Sequence, residues 1–146
     1  HLNNEIKNPV IFGFGDEIDS HYEKIENLND NEFTKNFKSF WYFKTGNYRK
    51  LQSVIDGYWN GKGLGFEVHI MGHSCGLSDR VLLNSIFEHP NCKTIQIYYH
   101  QKTERENDFF EKTQDISRHF KLDNKGKMRV KIIPLEESSP LTKYKS

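Results

Sequence analysis

Residues 66–83, FEVHIMGHSCGLSDRVLL, constrain the fold more than any other stretch of the chain. Alternating and β-branched side chains over 66–70 predict a short strand that closes at Gly72. A small-residue turn follows at 72–76, and Ser78 occupies a position typical of a helix N-cap, with apolar residues at helical spacing behind it. Free backbone N–H groups and close approach to the main chain coincide in such a turn, so this stretch predicts a ligand site.

The length and composition of the chain set limits on its class and partners. Its 146 residues suit a single α/β domain over residues 1–146. A net charge of +1 argues against nucleic acid or a membrane surface as the main partner, because both usually require a basic excess. Two cysteines are too few for a disulfide scaffold, and no apolar run approaches the ~20 residues of a membrane span. We therefore expect a reduced, cytoplasmic protein with no membrane partner.

The other predicted elements follow from apolar periodicity and turn residues. Four aromatic side chains at helical spacing are expected to form the buried stripe of a helix: Phe33, Phe37, Phe40 and Trp41. A break in this helical region is expected at 29–31. The remaining elements are a strand over 9–12, a helix over 48–59 with Leu51, Val54, Ile55 and Tyr58 inward, a strand over 94–99, a helix over 103–120 with Phe109, Phe110, Ile116 and Phe120 inward, and a strand over 128–133.

Strands that alternate with helices predict a three-layer α/β fold, with a mostly parallel sheet of about four strands and helices on both faces. Ligands bind such sheets outside the carboxyl ends of the strands. In this chain those ends carry the glycine and acidic residues of 13–17, the turn and helix start of 72–79, and His100. We expect these three segments to meet at one edge of the sheet.

Two glycine turns are candidates for binding a nucleotide cofactor. Their glycines would let the main chain approach a phosphate or a ribose, and the helix start would favour an anion by roughly 0.3–1 kcal/mol. Asp79 would oppose a phosphate and suits a ribose hydroxyl better. The structural alternative is a tight βα turn with no ligand. The candidate cofactor-binding residues are Gly13, Gly15, Asp16, Glu17, Gly72, Ser74, Gly76 and Asp79.

The candidate catalytic residues are His73, Ser74 and His100. Residues 72–76 match G-x-S-x-G, the nucleophile elbow of α/β-hydrolases, in which Ser74 would be the nucleophile. Such an elbow needs an acid and a later histidine, and only Asp108 or Asp115 followed by His119 offers that order. His73 and His100 could instead form an acid and base pair.

No metal site is expected, because Cys75 and Cys92 are not in CxxC spacing. A helix N-terminus lowers the pKa of a thiol and makes it reactive. For Cys75 we nevertheless favour a buried and inert thiol.

Three segments resemble the bacteriophage abortive-infection AbiH family of bacterial defence proteins. They are FGFGDE at 12–17, NFKSF at 36–40 and, most specifically, GHSCGLSDR at 72–80. The similarity extends over about residues 9–141 and corresponds to the C-terminal portion of the family. It implies that the chain is the C-terminal part of a longer protein that acts in phage resistance.

The GHS-x-x-x-x-D turn is also similar to the late ribose-binding turn of sirtuin-like, NAD-handling domains. This similarity implies a partial Rossmann-like fold, with NAD or a related nucleotide held by Gly72, Ser74 and Asp79. His73 or His100 would then carry any chemistry.

Two alternative functions remain open from the sequence. One is a non-catalytic module that senses a phage component or forms a homo-oligomer, with Phe and Tyr side chains exposed on the long helical segment. The other is a G-x-S-x-G serine hydrolase.

Overall fold

The computed structural model describes Gly13 and residues 17–19, 21–57 and 65–142. Several predictions lie outside these residues: the strand over 9–12, the candidate site residues Gly15 and Asp16, and the end of the helix predicted to reach residue 59. The elements in chain order are helices α1 (Tyr22–Glu26), α2 (Asn31–Thr34), α3 (Lys38–Trp41) and α4 (Asn47–Ile55), strand β1 (Phe66–Met71), helix α5 (Arg80–Phe87), strand β2 (Cys92–Tyr99), helices α6 (Phe109–Ser117) and α7 (Lys125–Lys131), and strand β3 (Ser139–Pro140).

The described strands form one parallel sheet in the order β1-β2-β3. Strand β1 pairs along its whole length with residues 92–98 of β2, with one irregularity in register between Phe66 and Glu67. Strand β3 pairs only with the last two residues of β2. The sheet and its helices confirm an α/β fold with parallel strands.

One face of the sheet carries the core because apolar side chains alternate along β1 and β2. Val68 and Ile70 lie opposite Ile95 and Ile97, and both isoleucines of β2 are fully buried. Helices α5, α6 and α7 contact β2. Further members of the core come from α5, from α6 and from the segment after α6: Phe87, Phe109, Ile116 and Phe120. Glu67, His69 and Met71 on the opposite face of β1 are exposed, so helices on the second face remain a prediction.

The strand predicted over 128–133 is wrong, because helix α7 occupies most of it. Alternation of Met128, Val130 and Ile132 suits a strand, but Met128 and Ile132 are also one helical turn apart. Both of these pack against the core, whereas Val130 is 84% exposed. Only a single parallel bridge joins this region to the sheet, between Ile132 and Ile95.

Lys131, the last residue of α7, joins this helix to the end of α5. Its ammonium donates to the carbonyl oxygens of Phe87 and His89 at 2.8 and 2.9 Å. These carbonyls belong to the last residue of α5 and the segment that follows it, where backbone acceptors lack helical partners. A lysine that sequence analysis placed in a strand therefore caps a neighbouring helix.

The predicted aromatic stripe is also wrong. Asn29 has a positive φ of 52° and Asp30 caps α2, so the expected break at 29–31 is confirmed and the region divides into short helices. Helices of four residues cannot keep one continuous face. Phe33, Phe40 and Trp41 are consequently exposed, by 58, 46 and 42%.

Two further helices differ from their predicted faces or limits. Helix α4 buries Ile55, but Val54 is exposed although it was predicted to face inward. Helix α6 begins at Phe109 rather than at 103, and it leaves Phe110 exposed. The residues before α6 instead form a loop closed by an antiparallel bridge between Gln101 and Asn107.

Candidate functional site

The turn between β1 and α5 has an unusual backbone conformation. Gly72 has φ +68° and Cys75 has φ +53°, both in the left-handed region. Glycine adopts this region without strain, whereas a cysteine there costs energy and needs surrounding contacts to hold it. Helix α5 starts at Arg80, later than the sequence predicted. Ser78 lies in a 3-10 turn before it and is not the N-cap.

Two histidines hold the peptide groups of Cys75. The backbone N–H of Cys75 donates to Nδ1 of His73 at 2.9 Å. Nε2 of His119, which follows α6, donates to the carbonyl oxygen of Cys75 at 2.7 Å. Neutral imidazole has one donor and one acceptor nitrogen, so both rings carry their proton on Nε2. Both the N–H and the carbonyl oxygen of Cys75 are thus held by histidine side chains.

His119 is almost fully buried, and burial lowers the pKa of its imidazole below 6.5. Its Nδ1 has no hydrogen-bond partner among the described residues. The ring packs edge-on against Phe87, with ring centroids 5.8 Å apart. His119 is therefore a neutral structural group rather than the last member of a catalytic triad.

The thiol of Cys75 is buried, and burial raises its pKa to about 11. Burial also raises the pKa of Cys92. Both cysteines are free. Because the thiolate is the reactive form, neither side chain should act as a nucleophile in the folded protein. The sequence-based interpretation of Cys75 as buried is confirmed.

We expect a thiol reagent such as DTNB to label neither cysteine in the native protein at pH 8. Unfolding in guanidinium chloride should expose both thiols and give two equivalents of product, because burial alone protects them. Absorbance at 412 nm follows the reaction, and Cys92→Ala isolates the signal of Cys75. Rapid labelling of this variant before unfolding would contradict the buried position of Cys75.

Asp79 forms the charged centre of the turn. Its carboxylate pairs with the ammonium of Lys38, the first residue of α3, at 2.8 Å. Its other oxygen lies 3.8 Å from Nε2 of His73. The Lys38 and Asp79 side chains are only 16 and 28% exposed, so the pair is partly desolvated and less screened than a surface pair. The cluster can offer a polar ligand one acceptor, the Asp79 carboxylate, and two donors, the Lys38 ammonium and Nε2–H of His73.

Lys38 also brings the first glycine turn near the second. A β-carbon on Gly13 would lie 3.6 Å from Cγ of Lys38 and 2.0 Å from the carbonyl oxygen of Asn36. Only glycine fits this approach, and its φ of +132° is one that other residues rarely adopt. Gly13 therefore lies near Lys38, the partner of Asp79.

A cavity of about 780 Å³ lies beside this cluster. It is bordered by Glu17, by Ser39 and Tyr42 around the end of α3, by Tyr48 in α4, and by Val81 in α5. Cavities of roughly 300–1,000 Å³ are typical of small-molecule sites. The ion pair itself does not line the cavity, but Ser39 directly follows Lys38 and Val81 lies two residues after Asp79, so the cavity begins next to the pair along the chain.

Ser74 and His100 have no contacts that assign them a catalytic role. Ser74 is exposed, and no hydrogen bond joins its hydroxyl to a histidine in the part of the chain that the structure describes. The strained residue of the turn is Cys75, not Ser74, unlike the serine of a nucleophile elbow. His100 follows β2 with an exposed side chain, and Asp108 holds only its backbone, accepting from its N–H at 2.6 Å.

The backbone of the turn offers fewer free donors than the sequence predicted. The N–H of Cys75 is used by His73, and the N–H of Asp79 donates to the carbonyl oxygen of Gly76 at 3.1 Å. Gly76 itself is extended, with φ −68°. Side chains, and Asp79 in particular, therefore provide most of the polar groups available here.

Within the described ranges, no three His, Cys, Asp or Glu side chains are grouped so that they could hold a metal ion. None of the helices in those ranges combines the length and apolarity needed to cross a membrane.

Sequence reasoning missed Lys38 and assigned His119 only a formal role. Lys38 lies 41 residues before Asp79, and no local pattern encodes a contact over that separation. The only feature of the sequence that pointed to Lys38 was its position in NFKSF, one of the segments that resemble the family.

Comparison of the chain with protein-family models, with curated proteins and with solved structures gives no match. Interpretation of the site therefore depends on its own geometry.

Proposed function

We propose that this chain is part of an AbiH-like phage-defence protein and that it binds NAD or a related nucleotide at the turn between β1 and α5. The observation that carries this proposal is the cluster of Lys38, Asp79 and His73 beside a cavity lined by Glu17. It combines residues from the two glycine turns that the sequence selected with a space large enough for a small molecule.

Asp79 is the residue to which we assign ribose recognition. A carboxylate accepts hydrogen bonds from the vicinal hydroxyls of a ribose, and the hydrogen bond from the Lys38 ammonium holds this carboxylate in place. The Nε2–H of His73, half exposed beside Asp79, supplies a donor toward the same ligand. Any chemistry on the ligand would fall to His73, with Ser74 and His100 as the other candidates.

The test is a titration of the 146-residue chain with NAD and with ADP-ribose, followed by NMR chemical shifts and by thermal unfolding. We expect saturable shifts in the wild type and their loss in Asp79→Asn. A ligand at 100 times its Kd should stabilise the fold by about 2.7 kcal/mol. Asp56→Asn is the matched control, because it removes a carboxylate that pairs with His89 and does not line the cavity.

The absence of saturable shifts in the wild type with both ligands would contradict the proposal. Equal binding by wild type and Asp79→Asn would also contradict it. Lys38→Met checks the second point, because it disturbs the same ion pair and leaves the carboxylate in place.

A second candidate function is a protein-interaction module. The observation that favours it is the exposure of four large aromatic side chains between α2 and the start of α4: Phe33, Phe40, Trp41 and Phe43, the last of them 87% exposed. Large exposed apolar groups that cluster often mark interaction surfaces. Sedimentation velocity of the wild type against Phe33→Ser separates the two functions, because Phe33 does not line the cavity and self-association lost in the variant would favour the module.

A further inference from the structure

The cavity beside the Lys38 and Asp79 pair has features that the proposed function does not use. Tyr42 and Tyr48 stack with ring centroids 5.1 Å apart and planes 3° from parallel, and both line the cavity. Phe43 and Val81 add apolar surface. Flat aromatic walls of this kind suit a planar ring, because stacking on an aromatic side chain is favourable for every nucleobase.

One of the residues that line the cavity carries a polar group without a partner. Ser39 lines it and is 93% buried by residue, since only 7% of its surface is exposed. Its hydroxyl has no hydrogen-bond partner in the described parts of the chain. A buried hydroxyl without a partner costs free energy, and a ligand heteroatom beside it would remove that cost.

Charged groups stand around the cavity with opposite signs. The acidic group that lines the cavity is Glu17. Burial raises the pKa of the Tyr42 hydroxyl, and the carboxylates of Asp79 and Glu17 raise it further because both lie near this tyrosine. Arg49 lines the cavity from α4, and its guanidinium makes no ion pair with any described residue. A guanidinium in this position suits a phosphate, with which it forms paired hydrogen bonds.

We propose that this cavity is the pocket for the base of a nucleoside monophosphate. The base lies against the Tyr42 and Tyr48 rings, a rotation of the Ser39 side chain brings its hydroxyl to an edge atom of the base, the ribose lies at Asp79, and the phosphate lies at Arg49. This inference depends on the proposed function, because it assigns the other parts of the same ligand. It extends the site from the turn into the helical segment between α3 and α5.

The experiment is a calorimetric titration of the 146-residue chain with adenosine and with adenosine 5′-monophosphate. Three variants probe the three parts of the pocket: Ser39→Ala, Val81→Phe and Arg49→Gln. Ser139→Ala, on β3 and away from the residues that line the cavity, is the matched control for the serine change. Asp79→Asn probes the proposed function separately.

Ser39→Ala should weaken monophosphate binding about three- to tenfold, the loss expected for one hydrogen bond. Its thermal stability should equal or exceed that of the wild type, because it removes an unpaired buried hydroxyl. This combination distinguishes a ligand-binding role from a structural one. Val81→Phe should weaken binding of both compounds, because the larger side chain narrows the cavity. Arg49→Gln should remove the preference for the monophosphate over adenosine and leave adenosine binding unchanged.

Wild-type affinity in both Ser39→Ala and Val81→Phe, together with loss of binding in Asp79→Asn, would overturn the pocket while the proposed function stands. No binding of either compound or of NAD by the wild type would overturn both proposals. Weaker binding in Ser139→Ala equal to that in Ser39→Ala would likewise overturn the assignment of the Ser39 hydroxyl.

Discussion

Replacing Phe87 by alanine should lower the free energy of unfolding by about 3–5 kcal/mol. The ring is 1% exposed. It stacks on Phe120 with centroids 6.1 Å apart and meets the edge of His119 at 5.8 Å. Truncation would remove these contacts and leave a cavity between α5 and the end of α6, where the core has no solvent access.

Urea denaturation followed by circular dichroism measures this loss, with the m-value checked for constancy. Phe110→Ala is the matched control, because Phe110 lies on α6 and is 66% exposed. Its loss of stability should stay below about 1 kcal/mol. Equal losses in the two variants would contradict the position of Phe87 in the core.

The second large effect is expected at His119, where alanine should cost about 2–4 kcal/mol. The substitution removes a buried ring and the donor that satisfies the carbonyl oxygen of Cys75. It also frees one side of a residue held in a strained backbone conformation, so the turn should become more mobile. Amide signals of residues 72–79 should broaden in NMR spectra of the variant.

His119 also predicts a dependence of stability on pH. Burial lowers its pKa in the folded state, so between that value and about 6.5 the unfolded chain binds more protons than the folded one. The stabilisation is therefore complete above about pH 6.5 and decreases as the pH falls below it, by at most about 1.4 kcal/mol per pH unit.

The difference in stability between wild type and His119→Gln isolates this effect, since glutamine keeps a donor but does not titrate. Denaturation at pH 7.5 and at pH 5.0 should give a smaller difference at the lower pH. A difference that stays constant, or that grows on acidification, would contradict the burial of a neutral imidazole.

The strands could be predicted from sequence because their side chains alternate with a period of two. Phe66–Met71 and Cys92–Tyr99 contain the strands predicted over 66–70 and 94–99. The same alternation misled at 128–133, where Met128 and Ile132 satisfy a helical spacing equally well. Packing against the core favours the helix over the strand here, and a local sequence pattern does not show which side chains will pack against the core.

The candidate site likewise has some features that the sequence predicts and others that only the fold reveals. Glycine turns are visible in a sequence, and Gly13 and Gly72 both have positive φ. The left-handed conformation of Cys75 could not be predicted, because cysteine has no preference for it. The contact between Lys38 of α3 and Asp79 of the turn joins residues that are distant in the chain, and only the three-dimensional fold brings them together.

The cap that Lys131 provides to α5 also constrains the order of assembly. A ribosome makes the chain from the N-terminus, so the carbonyls of Phe87 and His89 exist long before their donor does. Until residue 131 emerges, water must satisfy them, and the end of α5 stays hydrated while β2 and α6 are added. The carbonyls at the end of α5 therefore gain their protein donor only when α7 docks. Docking of the last described helix thus completes the capping of a helix that was made much earlier.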